Sequence, residues 1–392
     1  MIYKNFQDKK LSWLGMGAMR LPLTEPKGPV DEVAVMELIE HAYKSGINYY
    51  DTSYFYHSGK SEVVLGKALA RFPRESWYLA NKFPGNMLKV VDGKVRLEVG
   101  GFGMESKDVP SPAVLFDEQL ERCGVDYFDF YMLHNISEGT FNTYTDEKLG
   151  IVDYLLEQKK AGRIKHLGFS AHGRPETIEK FLKWRNCFEF AMIQLNYLDW
   201  TLQEAGKKYE ILTKYNIPVF IMEPVRGGKL ASREEKSAKI FLEAHPDKAP
   251  VSWAFRFIQN LPNVPMILSG MSNMAQLKEN LEIFNKEDPL TEADKKLYEK
   301  AVAAMADMLP CTGCAYCVAD CPKKLDIPLL ISLYNEAGFE MSWTVNSTLG
   351  SMKDEEKPAA CIACGVCNPL CPQNIDIPGA IKKFEELIAA KK

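Results

Sequence analysis

Four cysteines near the C-terminal end, Cys311, Cys314, Cys317 and Cys321 followed by Pro322, are spaced C-x2-C-x2-C-x3-C-P. Cys361, Cys364, Cys367 and Cys371 with Pro372 repeat that spacing without a deviation. A cubane offers four iron corners a few ångströms apart. A tight C-x2-C-x2-C loop wraps three of them with backbone amides turned inward, and the fourth cysteine lies past the next turn. Each proline removes an amide donor and stops the chain from continuing as helix at the ligand. The doubled run points to two [4Fe–4S] clusters and to one-electron chemistry. Zinc favours two separated C-x-x-C pairs, and disulfides need an oxidising compartment.

The run is similar to the signature of bacterial ferredoxins, in which the fourth cysteine of each motif ligates the other cluster. That resemblance implies Cys311, Cys314, Cys317 and Cys371 for one cluster, and Cys361, Cys364, Cys367 and Cys321 for the second. A helical run, Ile327–Ala337, separates the motifs. Asp326-Ile327-Pro328 after the first recurs as Asp376-Ile377-Pro378 after the second. This marks an internal duplication with Pro at a helix start in both halves. Residues 311–392 are expected to form a mostly helical ferredoxin-like iron–sulfur domain.

Residues 1–284 alternate short β-rich runs with helical stretches, which argues a parallel α/β architecture. Eight strands are predicted: Ser12–Gly17, Ile47–Asp51, Trp77–Lys82, Phe128–His134, Lys165–Ser170, Phe190–Asn196, Pro218–Glu223 and Val264–Ser269. Helices fit between them, for example over Val33–Lys44 and Thr177–Trp184. Eight such units in roughly 250 residues suit a (β/α)8 TIM barrel. An open doubly wound sheet is disfavoured because no Gly-rich dinucleotide fingerprint follows a strand. Gly100-Gly101-Phe102-Gly103 reads as a flexible loop, and Lys89–Arg96 as a hairpin turning at Asp92-Gly93. A helical linker is expected over 285–310, with Thr291 and Asp294 opening a helix that runs to about Met308.

Asp51, Lys82 and His134 end three predicted strands, and Tyr56 follows in the loop after Asp51. In a barrel those ends converge on the active site. The Lys82 ammonium beside the Tyr56 hydroxyl is expected to favour phenolate and lower its pKa from about 10. Asp51 would hold Lys82 charged, and His134 would donate to a substrate oxygen. Such a site protonates a carbonyl oxygen while hydride arrives at carbon.

Asp51-Thr52-Ser53-Tyr54-Phe55-Tyr56, Asn81-Lys82 and Tyr131-Met132-Leu133-His134-Asn135 resemble the Asp/Tyr/Lys/His tetrad motifs of the aldo-keto reductases. Gly168-Phe169-Ser170, Gln194-Leu195-Asn196, Glu223-Pro224-Val225-Arg226-Gly227-Gly228 and Ser269-Gly270-Met271 resemble that family's other strand-end motifs, in the right order. The resemblance covers residues 10–284. It implies a TIM barrel with Asp51, Tyr56, Lys82 and His134 as the tetrad, placed in the iron–sulfur-containing branch. It also implies a cofactor site from Ser170, Gln194, Arg226, Gly227, Gly228, Ser269, Gly270, Gln276 and Asn280, with Arg226 pairing a phosphate. The chain departs from the pattern at Ala171, where the family has Asn, and at Met222, where it often has an aromatic. Gly270 and Gln276 stand where basic residues usually grip the NADP 2′-phosphate.

The resulting expectation is carbonyl/alcohol interconversion with Tyr56 as acid–base, electrons being relayed by the clusters. The barrel would hold NAD(P)H or a flavin (FMN or FAD), since flavin converts between hydride and single electrons. Two rivals remain: a flavin-dependent, ferredoxin-linked enzyme, and a non-catalytic electron-transfer subunit. The expected partners are a small carbonyl or alcohol and an electron carrier such as ferredoxin. A net charge of −4 gives no electrostatic case for nucleic acid. No apolar run is long enough to cross a bilayer, and the N-terminus lacks a signal-peptide core. A reducing cytoplasm is therefore expected. Cys123 and Cys187 sit in surroundings suited to packing.

Overall fold

The computed structural model describes residues 1–99, 102–305, 308, 309, 311, 313–371 and 373–390. Eight parallel strands close into a barrel in chain order: Leu14–Gly17, Tyr49–Asp51, Tyr78–Phe83, Phe128–Ile136, Ile164–Ala171, Ala191–Gln194, Val219–Met222 and Met266–Gly270. The eighth pairs with the first, Ile267 with Leu14 and Gly270 with Gly17. The fourth strand is buried along its whole length, as a parallel strand covered on both faces must be. Tyr49, Phe130, Met132, Phe190, Phe220 and Met266 fill the interior. This is the expected (β/α)8 barrel.

The first predicted strand, Ser12–Gly17, begins only at Leu14, because Lys9–Ser12 pairs antiparallel with Tyr3–Phe6. That hairpin carries Phe6 into the barrel interior. Its ring centroid lies 5.4 Å from those of Phe130 and Phe220 and 6.0 Å from that of Phe190. Short alternating runs at a chain start give no sign of plugging a barrel. The first long helix, Glu32–Lys44, starts where the Asp31 carboxylate accepts from the Ala34 amide at 3.0 Å. The helix predicted from Thr177 begins earlier, Pro175–Trp184, with proline in its first turn.

After the third strand, Leu88–Val91 pairs antiparallel with Lys94–Leu97. Asp92 (φ 50°) and Gly93 (φ 75°) make the left-handed pair that such a tight turn requires. Lys107–Asp108 adds a third strand. Gly100 and Gly101 of the glycine cluster lie outside the described residues. Phe102 packs its ring on Phe55, centroids 4.6 Å apart.

The chain divides into two compact units. One comprises Met1–Asn196, Gly206–Ala231 and Val251–Leu290, and the other Tyr197–Ala205, Ser232–Pro250 and Thr291–Lys392. In the second, the helix Glu292–Met305 opens on a reciprocal cap. The Asp294 amide donates to Thr291 Oγ1 at 3.1 Å, and the Thr291 amide to Asp294 Oδ2 at 2.9 Å. The expected continuation to Met308 is not helical at its end, and residues 306 and 307 lie outside the described set. Helices Ile327–Phe339, Trp343–Ser351 and Ile377–Ala389 follow. Asp326 and Asp376 cap the first and last of these in the same way, with proline in the first turn of each. Leu330, Ile331, Ile377, Ile381 and Phe384 build a common core. Among the described residues no helix is long and apolar enough to cross a membrane.

Phe6→Ala is expected to cost about 3–5 kcal/mol, the usual range for emptying a buried phenylalanine site. Urea denaturation would read this directly, and an unchanged midpoint would show that the hairpin does not contribute to the barrel core.

Candidate active site and cysteine cavities

Asp51 closes the second barrel strand, Lys82 lies one residue before the end of the third, and His134 lies near the end of the fourth. Tyr56 opens a short turn in which His57 (φ 50°), Ser58 (φ 55°) and Gly59 (φ 82°) are all left-handed. That backbone folds sharply back over the strand ends. Two consecutive non-glycine residues there store strain of a kind found at functional sites.

Lys82 and Asp51 are 2% and 1% exposed and form a buried ion pair. Lys82 Nζ also donates to the Thr52 carbonyl at 2.8 Å and sits 5.1 Å from the centre of the Tyr56 ring. Burial opposes the lysine's charge, but the Asp51 carboxylate and the Tyr56 hydroxyl outweigh it, so Lys82 stays charged. Behind it, Glu62 Oε1 accepts from Asn81 Nδ2 and from Gln119 Nε2, both at 2.8 Å. Gln119 Nε2 also reaches the Lys82 carbonyl at 3.1 Å, and Asn81 Oδ1 accepts from the Lys82 amide at 2.8 Å. Both peptide groups flanking Lys82 are thus fixed by side chains.

Tyr56 keeps part of its surface open, yet the surrounding protein desolvates its hydroxyl. That desolvation pushes its pKa above the ordinary 10.0; Lys82 pulls it down, while Asp51 and Glu223 push it further up. The lowering expected from sequence is therefore overturned, because loss of water outweighs one paired ammonium. Tyr56 is thereby held as the protonated phenol. His134 lies 4.9 Å from Phe55, rings nearly parallel, with Ser53 Oγ 3.0 Å from its Nδ1. Burial drives its pKa well below 6.5, and the charges of Lys82 and His172 add to this. His134 is neutral. Phe55 and Ser53 were not picked out from sequence, since an aromatic and a serine beside the tetrad look like packing.

The proposed cofactor residues are distributed unevenly. Ser170 Oγ accepts from the Asn135 amide at 2.9 Å, and Asn135 Oδ1 is buried with no hydrogen-bond partner among the described residues. Gln194 ends the sixth strand and is buried. Asn280 Nδ2 donates to Ser269 Oγ at 3.1 Å, and Gln276 Oε1 accepts from the Ser272 amide at 2.8 Å, so the Gln276 oxygen is turned back on its own helix start. Gly227 (φ 64°) and Gly228 (φ 97°) form a left-handed loop after the seventh strand. Arg226, expected to reach a phosphate there, is 4% exposed and folded into the protein. The exposed guanidinium beside this loop is Arg20, from the turn after the first strand. Its Nη2 lies 3.3 Å from Glu223 Oε1. A lone arginine after a short strand carries no signal for this in sequence.

In the second unit the cysteines surround two cavities. Cys311, Cys314, Cys317 and Cys371 line one, and Cys321, Cys361, Cys364 and Cys367 the other. The fourth cysteine of each run stands with the first three of the other, and Ile327 lines both cavities. Burial and neighbouring thiols raise the pKa of Cys317 to about 11 and push that of Cys367 up. Among the described residues no three His, Cys, Asp or Glu side chains converge on a single ion. Sulfurs ringed around a void suit a cubane, whose corners are spread, better than one metal ion. Outside this domain, burial lifts the Cys123 thiol and pushes that of Cys187 up to about 11, which disfavours the thiolate at both.

The Aldo/keto reductase family model matches residues 13–303, and the 4Fe-4S dicluster domain matches residues 310–375. The chain is 27% identical over 299 residues to the uncharacterized oxidoreductase YqkF of Bacillus subtilis (strain 168), covering 71% of this chain and 89% of that protein. It is 27% identical over 289 residues to L-galactose dehydrogenase of Arabidopsis thaliana, covering 69% and 84%. The holo form of aldo-keto reductase AKR11C1 from Bacillus halodurans superposes with a TM-score of 0.59 at 25% identity, covering 76% of this chain and 95% of that one.

An ultraviolet difference titration of the protein against Tyr56→Phe should find no Tyr56 phenolate below about pH 10. Lys82→Met should move it higher still, since the one group favouring phenolate is gone. A phenolate band near neutrality would contradict the dominance of burial.

Proposed function

Because the chain belongs to the aldo/keto reductase family and carries a 4Fe-4S dicluster domain, we propose that it is an oxidoreductase whose barrel interconverts a small carbonyl compound and its alcohol and whose second domain carries single electrons. The observation that carries this reading is the buried Asp51–Lys82 pair beneath a protonated Tyr56, with a neutral His134 beside it. In the reductive direction Tyr56 gives its hydroxyl proton to the substrate oxygen, and the Lys82 ammonium stabilises the phenolate left behind. Asp51 keeps Lys82 charged and in place. Ser53 Oγ lies 3.0 Å from His134 Nδ1 and can donate to it; the tautomer that carries its proton on Nε2 is the one that would hydrogen-bond the substrate oxygen and orient the carbonyl. A charged imidazolium there would compete with Tyr56 as the acid, and burial prevents it.

A nicotinamide dinucleotide supplies hydride when bound. The residues present fit one: the unpartnered Asn135 amide oxygen beside Ser170, together with Gln194, suits a carboxamide, and the Gly227-Gly228 loop suits a phosphate. A [4Fe–4S] cluster supplies single-electron transfer when bound. Cys311, Cys314, Cys317 and Cys371 would hold one, and Cys321, Cys361, Cys364 and Cys367 the other. A ferredoxin is the carrier class that matches such centres, and a reducing cytoplasm is the setting that suits them.

Tyr56→Phe should lower NADH- or NADPH-dependent reduction of short aldehydes by about 10²-fold or more. Unchanged turnover would mean that the barrel is catalytically idle. For the cysteines, electron paramagnetic resonance of the reduced protein should find Cys371→Ser perturbing the same signal as Cys311→Ser, and Cys321→Ser the same signal as Cys361→Ser. Pairing by sequence order would refute the exchanged ligand sets.

A further inference from the structure

The two cysteine runs are near copies in backbone as well as in spacing. Gly313 and Ala363 are left-handed at φ 71° and 52°, Ala315 and Gly365 at 60° and 77°, and Lys324 and Asn374 both at 53°. The same turn follows the fourth cysteine of each run. The Lys324 amide donates to the Cys321 carbonyl at 2.9 Å, and the Asn374 amide to the Cys371 carbonyl at 3.0 Å. The Cys321 and Cys371 amides donate to the Val318 and Asn368 carbonyls, both at 3.1 Å. Asp326 and Asp376 then cap their helices alike. Matched loops present matched amides, so that lever on a cluster's potential is nearly the same at both cavities.

What differs is charge. Cys321 is followed by Pro322-Lys323-Lys324, and Cys371 by Pro372-Gln373-Asn374. Lys323 lines the cavity of Cys321, Cys361, Cys364 and Cys367, and its counterpart Gln373 lines that of Cys311, Cys314, Cys317 and Cys371. Cysteines aside, Lys323 is the one charged side chain among the described residues that lines either cavity. Asp320 precedes Cys321 where Leu370 precedes Cys371, but it is exposed and lines neither cavity. The exposed acidic turn Asp354–Glu356 lines neither as well, and Lys357 Nζ meets Asp354 Oδ1 at 2.8 Å. One cavity thus has a cation at its wall, while these carboxylates stand in solvent, where salt screens them.

We propose that Lys323 makes the centre held by Cys321, Cys361, Cys364 and Cys367 the easier of the two to reduce, so that the first electron to enter comes to rest there. One electron from the carrier reduces iron and adds one negative charge to the centre; the carrier loses that electron, and no bond or proton moves. An ammonium at the wall favours the state with the added negative charge, whereas the Gln373 amide has no net charge with which to do so. The half-filled protein therefore keeps its electron in one defined place, and the Cys311 centre receives the second. Unequal centres order the uptake of the two electrons that reduction of a carbonyl consumes. The inference rests on the cluster reading above.

The test is a potentiometric titration of the anaerobically purified holoprotein, followed by electron paramagnetic resonance. Two one-electron waves are expected, and Cys361→Ser should perturb the signal that appears at the higher potential. Lys323→Gln should weaken the hold of that centre on its electron by about 10-fold, or about 59 mV for a one-electron couple, and bring the waves together. Gln373→Lys should raise the lower wave by a similar amount. Both shifts should shrink in about 1 M salt, where the Debye length falls to about 3 Å. Lys353→Gln, at an exposed lysine lining neither cavity, should leave both waves in place. Iron and sulfide content at the wild-type value shows that each variant retains its clusters. An upper wave unmoved by Lys323→Gln, or a first electron found on the Cys311 centre, would overturn the proposal and leave the cluster reading standing. A wild-type protein without any [4Fe–4S] signal would overturn both.

Discussion

The ion pair between Asp51 and Lys82 sets the chemistry of the barrel mouth. Two opposite charges taken out of water at the ends of adjacent strands are costly, and the cost is offset only when their remaining hydrogen bonds are met. The Thr52 carbonyl takes a second proton of the ammonium, and Asn81 and Gln119 hold the backbone on either side of Lys82. From this pair follow two further protonation states. Lys82 alone favours the Tyr56 phenolate against burial and Asp51, and its charge helps keep His134 neutral. Removing either partner would leave an uncompensated charge beneath the tyrosine, so the pair cannot be judged as a stability element alone.

Residues whose placement follows from position along the chain are legible in the sequence. Asp51, Lys82 and His134 stand at or next to strand ends, and a parallel barrel brings such ends together whatever lies between them. The cysteines announce themselves by spacing that only a polynuclear centre needs. What stayed hidden depends on distances between loops. Arg20 and Glu223 are separated by most of the barrel in sequence, and neither falls in a motif that marks it as one half of a pair. Arg226, adjacent to the glycine loop in sequence, is turned into the protein while Arg20 occupies the open side. The direction of the Tyr56 shift was missed for a related reason, because neighbours can be read from a motif but the extent of desolvation cannot. The N-terminal hairpin was hidden because its core contribution is one ring, Phe6.

The two compact units use opposite strategies for ordering functional groups. In the barrel, side chains from different strands converge because the sheet closes, and hydrogen bonds then refine their angles. In the cysteine-bearing unit the helices are capped alike at Asp326 and Asp376, and a shared aliphatic core fixes the loops between them. Regular structure there serves chiefly to present irregular loops. Ile327, buried at the start of one capped helix, lines both cavities.

The exchanged fourth cysteine has a consequence for how this molecule can be made. Neither cavity is lined by four sulfurs until Cys371 has joined Cys311 and Cys321 has joined Cys361, so each half of the duplicated segment is an incomplete receptacle. A nascent chain that has emerged only as far as Cys321 presents three thiols to one void and a stray fourth to nothing. A group that needs all four sulfurs of either cavity would therefore have to wait until the second cysteine run has been synthesised.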